Sequence, residues 1–287
     1  MLVSAKLAPT FAYPELERFW RLADELGFHA IWNYDHFYGP DAVGTIARDY
    51  RKDTFEAWTS LAAMALVVTR ARIGCMVTGV TYRHPAVLAK MAVTVDHISG
   101  GRLEFGLGAA WHEAEHRGYG ISFPRAGERL AMLDEALRVI KALWTEDSTS
   151  FAGTYFRLDE AICNPKPVQK PHPPIVVAGR GRKSLRIVAT HADEWNVTGV
   201  DPTEWSRLSD VLDSHCDTIG RDPGTIRRGV QILLDPAQEN QMRNRLDLLP
   251  AYQAAGCQHA VLNFNQPPTE DQLERVSRLG QTQRRFN

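Results

Sequence analysis

Eight times along this chain a short apolar run gives way to a segment of helical spacing, and no other feature narrows the possible folds as far. The runs are Leu2 to Ala8, Phe28 to Tyr34, a strand opening the Arg72 to Pro85 stretch, Leu103 to Gly108, Ile175 to Gly179, Glu194 to Thr198, Arg228 to Leu234 and His259 to Asn263. Helical patterns follow at Pro14 to Leu26, Thr54 to Thr69, Pro85 to Ile98, Pro124 to Trp144, Ser184 to His191, Pro202 to Ile219, Glu239 to Ala255 and Thr269 to Gly280. Continuous apolar runs such as Ile175-Val-Val-Ala suit strands covered on both faces, and parallel strands need helical crossovers. In 287 residues the economical closure is an α/β fold with a single (β/α)8 TIM barrel spanning 1–287. A doubly wound open sheet is the alternative.

Departures from the rhythm are as informative as the rhythm. Positions 150–174 interrupt it after the fourth helix, with a hairpin-like Phe151 to Leu158 followed by Pro165, Pro167, Pro171, Pro173 and Pro174, and read as an insertion on the rim. Gly79 breaks the third strand between Thr78 and Val80, where glycine marks a bulge or a close approach to the backbone. A polar loop longer than a barrel turn needs follows Asp35-His36-Phe37 and runs to Asp53, and loops of that length are commonly functional. A barrel brings Asp35, His36, Thr78, Gly79, Ala109, Gly179 and Thr198 to one mouth.

Thirty-three Lys and Arg against 34 Asp and Glu leave a net charge of -1, so no basic footprint argues for nucleic acid or an anionic membrane, and a small molecule is the expected partner. Cys75, Cys163, Cys216 and Cys257 are widely spaced with no CxxC pair, the pattern of reduced thiols in a cytosolic protein. Charged residues interrupt each long apolar segment, so neither a signal peptide nor a membrane span is expected. Large apolar residues on helix faces, among them Trp58, Met64 and Met91, exceed what one barrel sheath needs and point to a homodimer.

Four motifs in order, Trp32 to Phe37, Val77 to Pro85, Asp96 to Gly108 and Ala192 to Asn196, resemble those of the bacterial luciferase-like oxidoreductases, and in particular the branch that uses the deazaflavin coenzyme F-420. The resemblance runs nearly end to end. It implies a barrel with a deazaflavin or flavin at the C-terminal mouth, hydride transfer and commonly a homodimer. His36 then lies beside the reacting ring carbon, with the general acid/base chemistry that imidazole supplies near neutral pH. From position alone, a histidine that merely hydrogen-bonds the loop backbone fits equally well. Asp35 orients the strand end or contacts the cofactor. The resemblance makes Thr78-Gly79-Val80 a bulge supporting the ring, with a non-prolyl cis peptide expected at Gly79-Val80; an ordinary glycine turn is the bland alternative. It also puts Ala109, Ala110 and Trp111 at the cofactor. Some relatives carry a glutamate where this chain has Ala109-Ala110, which leaves the acid partner of His36 open.

Ala178-Gly179-Arg180-Gly181-Arg182-Lys183-Ser184 joins a strand to a helix through two glycines and three cations, matching neither a P-loop nor GxGxxG. Free amides at a helix start suit a phosphate, which these cofactors carry; a basic solvated turn is the alternative. His112-Glu-Ala-Glu-His116 satisfies HExxH, with Glu113 as the formal base of a zinc hydrolase. It begins directly after a glycine-rich strand end and signals no third ligand, so no metal site is expected. The readings are then an F-420-dependent oxidoreductase, an FMN-dependent monooxygenase of the same fold, a zinc hydrolase, or a barrel that only binds.

Overall fold

The computed structural model describes residues 1–38 and 53–281; most of the polar loop before Asp53, including Asp41 to Lys52, lies outside them. The strands are β1 (Leu2–Leu7), β2 (Ala30–Asn33), β3 (Arg72–Gly79), β4 (Leu103–Gly108), β5 (Thr149–Ala152), β6 (Arg157–Ala161), β7 (Ile175–Ala178), β8 (Glu194–Thr198), β9 (Arg227–Leu234) and β10 (His259–Phe264). The helices are α1 (Tyr13–Glu25), α2 (Ala57–Val67), α3 (Pro85–Ile98), α4 (Glu113–Tyr119), α5 (Ala126–Thr145), α6 (Arg182–His191), α7 (Pro202–Ile219), α8 (Glu239–Leu246), α9 (Leu249–Ala254) and α10 (Glu270–Gln281). Because β1 pairs in parallel with both β2 and β10, the sheet closes in the order β1-β10-β9-β8-β7-β4-β3-β2, a (β/α)8 TIM barrel.

Apolar residues on both strand faces do two jobs. Inside, Trp32, Met76, Val176 and Val261 plug the barrel; outside, Ile31, Ile73, Phe105 and Val177 meet the helices. The N-terminal ends of the strands carry a buried charge network. Glu104 meets Arg72 at 2.7 Å and Arg227 at 3.4 Å, and Glu194 meets Arg227 at 3.0 Å and His259 at 2.8 Å. Burial opposes the Glu104 carboxylate, but the bond to His29 and the cations Arg227 and Arg72 hold it well below the usual carboxylate range.

Several expectations are corrected. The pattern from Glu239 to Ala255 is two helices, since Pro250 lacks the N–H and the space to continue α8 into α9. The cis peptide lies at Met76-Val77 and not at Gly79-Val80. The β3–β4 register slips between Cys75 and Thr78, whereas Thr78 and Gly79 have rejoined the ladder opposite Leu107 and Gly108, so the bulge sits earlier on β3. The insertion is a β5–β6 hairpin tied to the outer sheath. Glu135 on α5 accepts from the amides of Thr154, Tyr155 and Phe156, and Asp96 on α3 accepts from those of Val168 and Gln169. Trp58 and Met64 are buried within the protein's own core and Met91 packs against it, so a homodimer draws no support from them.

Where β3 and β4 touch, Gly106 is required. A methyl there would lie 2.1 Å from the Cys75 carbonyl oxygen, a backbone atom that cannot swing aside. Gly106→Ala is expected to cost about 1–3 kcal/mol, the usual range for overpacking, or more. A urea titration of the variant checks it, and an unchanged midpoint would contradict the close approach.

Candidate active site

The C-terminal ends of the strands open into a cavity of about 1200 Å³. Asp35 and His36 line it after β2, Thr78 and Gly79 at the end of β3, Ala109, Ala110 and Trp111 after β4, Ala178 at the end of β7, and Gly179, Arg180 and Gly181 after it. Two residues expected with them are not there. Val80 is buried in the core, its amide donating to the Gly108 carbonyl, so it anchors β3 to β4. Arg182 opens α6 on an exposed surface outside the lining.

His36 has an acid partner. Its Nδ1 lies 2.9 Å from Oε2 of Glu115, a wholly buried residue of α4. Glu115 also accepts from the amides of Phe37 at 2.8 Å and Tyr38 at 3.0 Å and from the Tyr82 hydroxyl at 2.5 Å. Burial alone would raise its pKa, but the bond to His36, the charge of that ring and the bond from Tyr82 pull it down to about 2. Glu115 is therefore an anion at neutral pH, so Nδ1 of His36 must be the donor and Nε2 is left for the cavity. Trp111 and Tyr34 flank the imidazole edge-on, with centroids 5.4 and 5.1 Å away.

Asp35 is spoken for. Both its oxygens accept from Arg83, at 2.5 and 3.1 Å, and Arg83 also pairs with Glu56, whose carboxylate caps the first turn of α2. Burial pushes the Asp35 carboxyl up from its ordinary value, and the Arg83 guanidinium opposes that shift. Of the two roles open to Asp35, the geometry supports orienting the strand end.

The HExxH match does not build a site from its two histidines. His112 precedes α4 and His116 lies inside it, with Nε2 of His116 on the Thr81 hydroxyl at 2.6 Å and Nδ1 on the His112 carbonyl at 2.8 Å; Glu113 is exposed. A zinc held by His112 and His116 together is not what this arrangement offers. Among the described residues, His36, His112 and Glu115 do bring ligand atoms within 4.8 Å of one another. The Glu115 carboxylate there already serves two backbone amides and a phenol.

After β7, which pairs with β4, Gly181 is the N-cap of α6, and no side chain caps that helix. Its first amides are therefore open to an oxyanion, and Arg180 lies at the cavity edge. A methyl on Gly179 would sit 2.6 Å from Ser184 Oγ, so the turn is built for a close backbone. The cavity is large enough for a tricyclic ring with a phosphorylated chain, pockets of this kind commonly measuring about 300–1,000 Å³.

Sequence reasoning missed Lys6, Asn196, Gln231, Arg129, Tyr82 and Glu115. Lys6, Asn196 and Gln231 left one signal: each is a polar residue flanked by apolar neighbours in its strand, and each lines the cavity. Arg129 lies over the Phe123 ring at 3.9 Å and donates to the Ala109 carbonyl, holding the loop after β4.

The family model described as luciferase-like monooxygenase matches residues 3–285. An uncharacterized protein of Mycobacterium tuberculosis is 31% identical over 191 residues, 63% of this chain and 66% of that protein. The FMNH2-dependent dimethylsulfone monooxygenase of Pseudomonas putida is 33% identical over 120 residues, 42% of this chain and 33% of that enzyme. The matches thus span less than two thirds of these relatives' own lengths. Among solved structures, an F-420-dependent secondary alcohol dehydrogenase in complex with an F-420–acetone adduct superposes with a TM-score of 0.81 at 18% identity, covering 97% of this chain and 98% of the other. That likeness is one of fold.

Proposed function

This chain belongs to the luciferase-like monooxygenase family, and from that premise we propose that it is an oxidoreductase using coenzyme F-420, with His36 moving the proton that accompanies hydride transfer to or from a small organic substrate. The observation that carries the reading is the imidazole of His36, fixed through Nδ1 by Glu115 with Nε2 toward the cavity. A bound deazaflavin supplies or accepts the hydride. The chain's own groups do the rest. The open first turn of α6 binds the phosphate, Thr78 and Gly79 with the bulge before them form the wall against the ring, and Trp111 screens the imidazole from water. Nε2 of His36 takes a proton from a substrate hydroxyl during oxidation, or returns one to the oxygen during reduction.

FMN is the second reading, favoured by the FMNH2-dependent relative and by the same phosphate cradle. Arg180, Arg182 and Lys183, all exposed beside the cradle, add cations that suit an acidic tail FMN lacks. Titrating the purified protein with each cofactor is expected to give the tighter binding with F-420. Arg180→Ala should weaken F-420 by roughly two- to five-fold, the scale of an exposed ion pair, and FMN less. Tighter FMN binding would move the protein to the monooxygenase reading. Binding of neither would leave a barrel that acts without a flavin-like group.

A further inference from the structure

We infer that the floor of the cavity at Lys6 is an anion-receiving subsite, in which the Lys6 ammonium, with Gln231 and Asn196 around it, binds a ligand oxygen that carries negative charge. Lys6 points inward from β1 and is 5% exposed. Its Nζ donates to the Met76 carbonyl at 2.6 Å and to Oε1 of Gln231 at 2.9 Å. Both acceptors are neutral, and an ammonium has three N–H groups. Among the described residues no carboxylate lies within ion-pair distance of Nζ.

Of the carboxylates that line the cavity in the structure, Asp35 is engaged by Arg83 and Asp235 by Gln238, Gln266 and the Ala237 amide, and the third, Asp53, is exposed rather than buried with Lys6. The Cys75 thiol supplies no counter-charge, since burial pushes its pKa up. Beyond its two acceptors and the Tyr34 ring, 5.7 Å from Nζ to its centroid, the ammonium has no counter-charge, and a buried cation without one is costly. Burial lowers the Lys6 pKa to about 8, which still leaves the ammonium predominant at neutral pH. Asn196 is a second, independent sign. It is fully buried, lines the same cavity, and neither its side-chain nitrogen nor its oxygen has a partner among the described residues. It stands on β8 one inward position below Thr198, whose register partner is Gln231. Lys6 and Gln231 are thus hydrogen-bonded, and the free amide lies one inward position below the residue paired with Gln231, lining the same cavity.

Two ligands present the required oxygen: a substrate carboxylate or enolate, and the carbonyl edge of the cofactor ring, which gains charge on reduction. The second rests on the oxidoreductase reading above, and Lys6 holds the Met76 carbonyl in the same bulge assigned to the ring. Lys6→Met separates them. In one arm the protein without cofactor is titrated with benzoate and with benzamide, followed by tryptophan fluorescence. A substrate subsite prefers benzoate by about ten-fold, and Lys6→Met abolishes the preference. In the other arm the midpoint potential of bound F-420, or of FMN if that is what binds, is measured in both proteins. A cofactor subsite loses about ten-fold in relative affinity for the reduced form, a fall of about 30 mV for two electrons. Either result supports the inference and names the source. No benzoate preference together with an unchanged potential overturns it. If neither cofactor binds, the oxidoreductase reading fails while the benzoate comparison still judges the subsite. Circular dichroism checks the fold of Lys6→Met; should it not fold, the benzoate and benzamide affinities of the unaltered protein decide alone.

Discussion

Replacing His36 by alanine is expected to lower turnover by ~10²–10⁴, the typical contribution of a positioned general acid or base, while cofactor affinity stays within about two-fold. The expectation follows from how the ring is held. Glu115 fixes one nitrogen at 2.9 Å and thereby selects the tautomer, and Trp111 and Tyr34 pack edge-on against the ring. Nothing in that arrangement touches the uncapped start of α6, where the cofactor phosphate is proposed to bind, so binding and proton transfer should separate cleanly. The measurement needs a substrate, found by following cofactor absorbance against a panel of alcohols and ketones. Turnover by His36→Ala equal to that of the unaltered protein would make the histidine structural and leave the proton to solvent or another residue at the mouth.

Glu115→Ala is expected to cost about 3–5 kcal/mol of stability, the usual penalty for removing one partner of a buried ion pair. The carboxylate collects Phe37, Tyr38, Tyr82 and His36, with Nδ1 of His112 also 3.2 Å away, and a methyl leaves these groups facing a hole. Glu115→Gln keeps the shape but presents an NH2 group to donors, so it should be milder in urea. If it folds, it should still lose turnover, because the amide donates to Nδ1 of His36 and turns the ring to the wrong tautomer. The pH dependence has a definite sign. A carboxyl whose folded pKa is depressed to about 2, from an unfolded value of about 4.3, adds stability that is fully present above the unfolded value and is lost as pH falls toward 2. In Glu115→Ala the acid limb of the stability profile should be flatter; an unchanged limb would mean that other carboxylates govern it.

Much of the barrel was legible because the signals are local. Strand and helix patterns, Pro85 at the start of α3 and the αL glycines Gly100 and Gly101 behind it depend on residues a few positions apart, and each lies where the pattern put it. Pro250 was equally visible, yet the continuous helical spacing around it outweighed it and hid the break between α8 and α9.

The site was legible in its parts and not in its partnerships. His36, Thr78, Gly79 and the Gly179-Arg180-Gly181 turn stand at strand ends, and a parallel barrel carries all strand ends to one mouth, so sequence order alone determined their company. The acid that governs His36 comes from 79 positions away. The motif that contains it pointed to the wrong residues, because HExxH reads as a metal pair only when both histidines share a helix face, and here α4 begins after His112. Tertiary structure alone turned Glu115 inward, placed the β3 bulge before Thr78, and left the Lys6 ammonium at the floor with neutral partners. The reason is physical. Periodicity reports which face of an element is buried, whereas the partner of a buried charge is set by barrel closure, which brings together side chains from strands and loops with no fixed spacing along the chain.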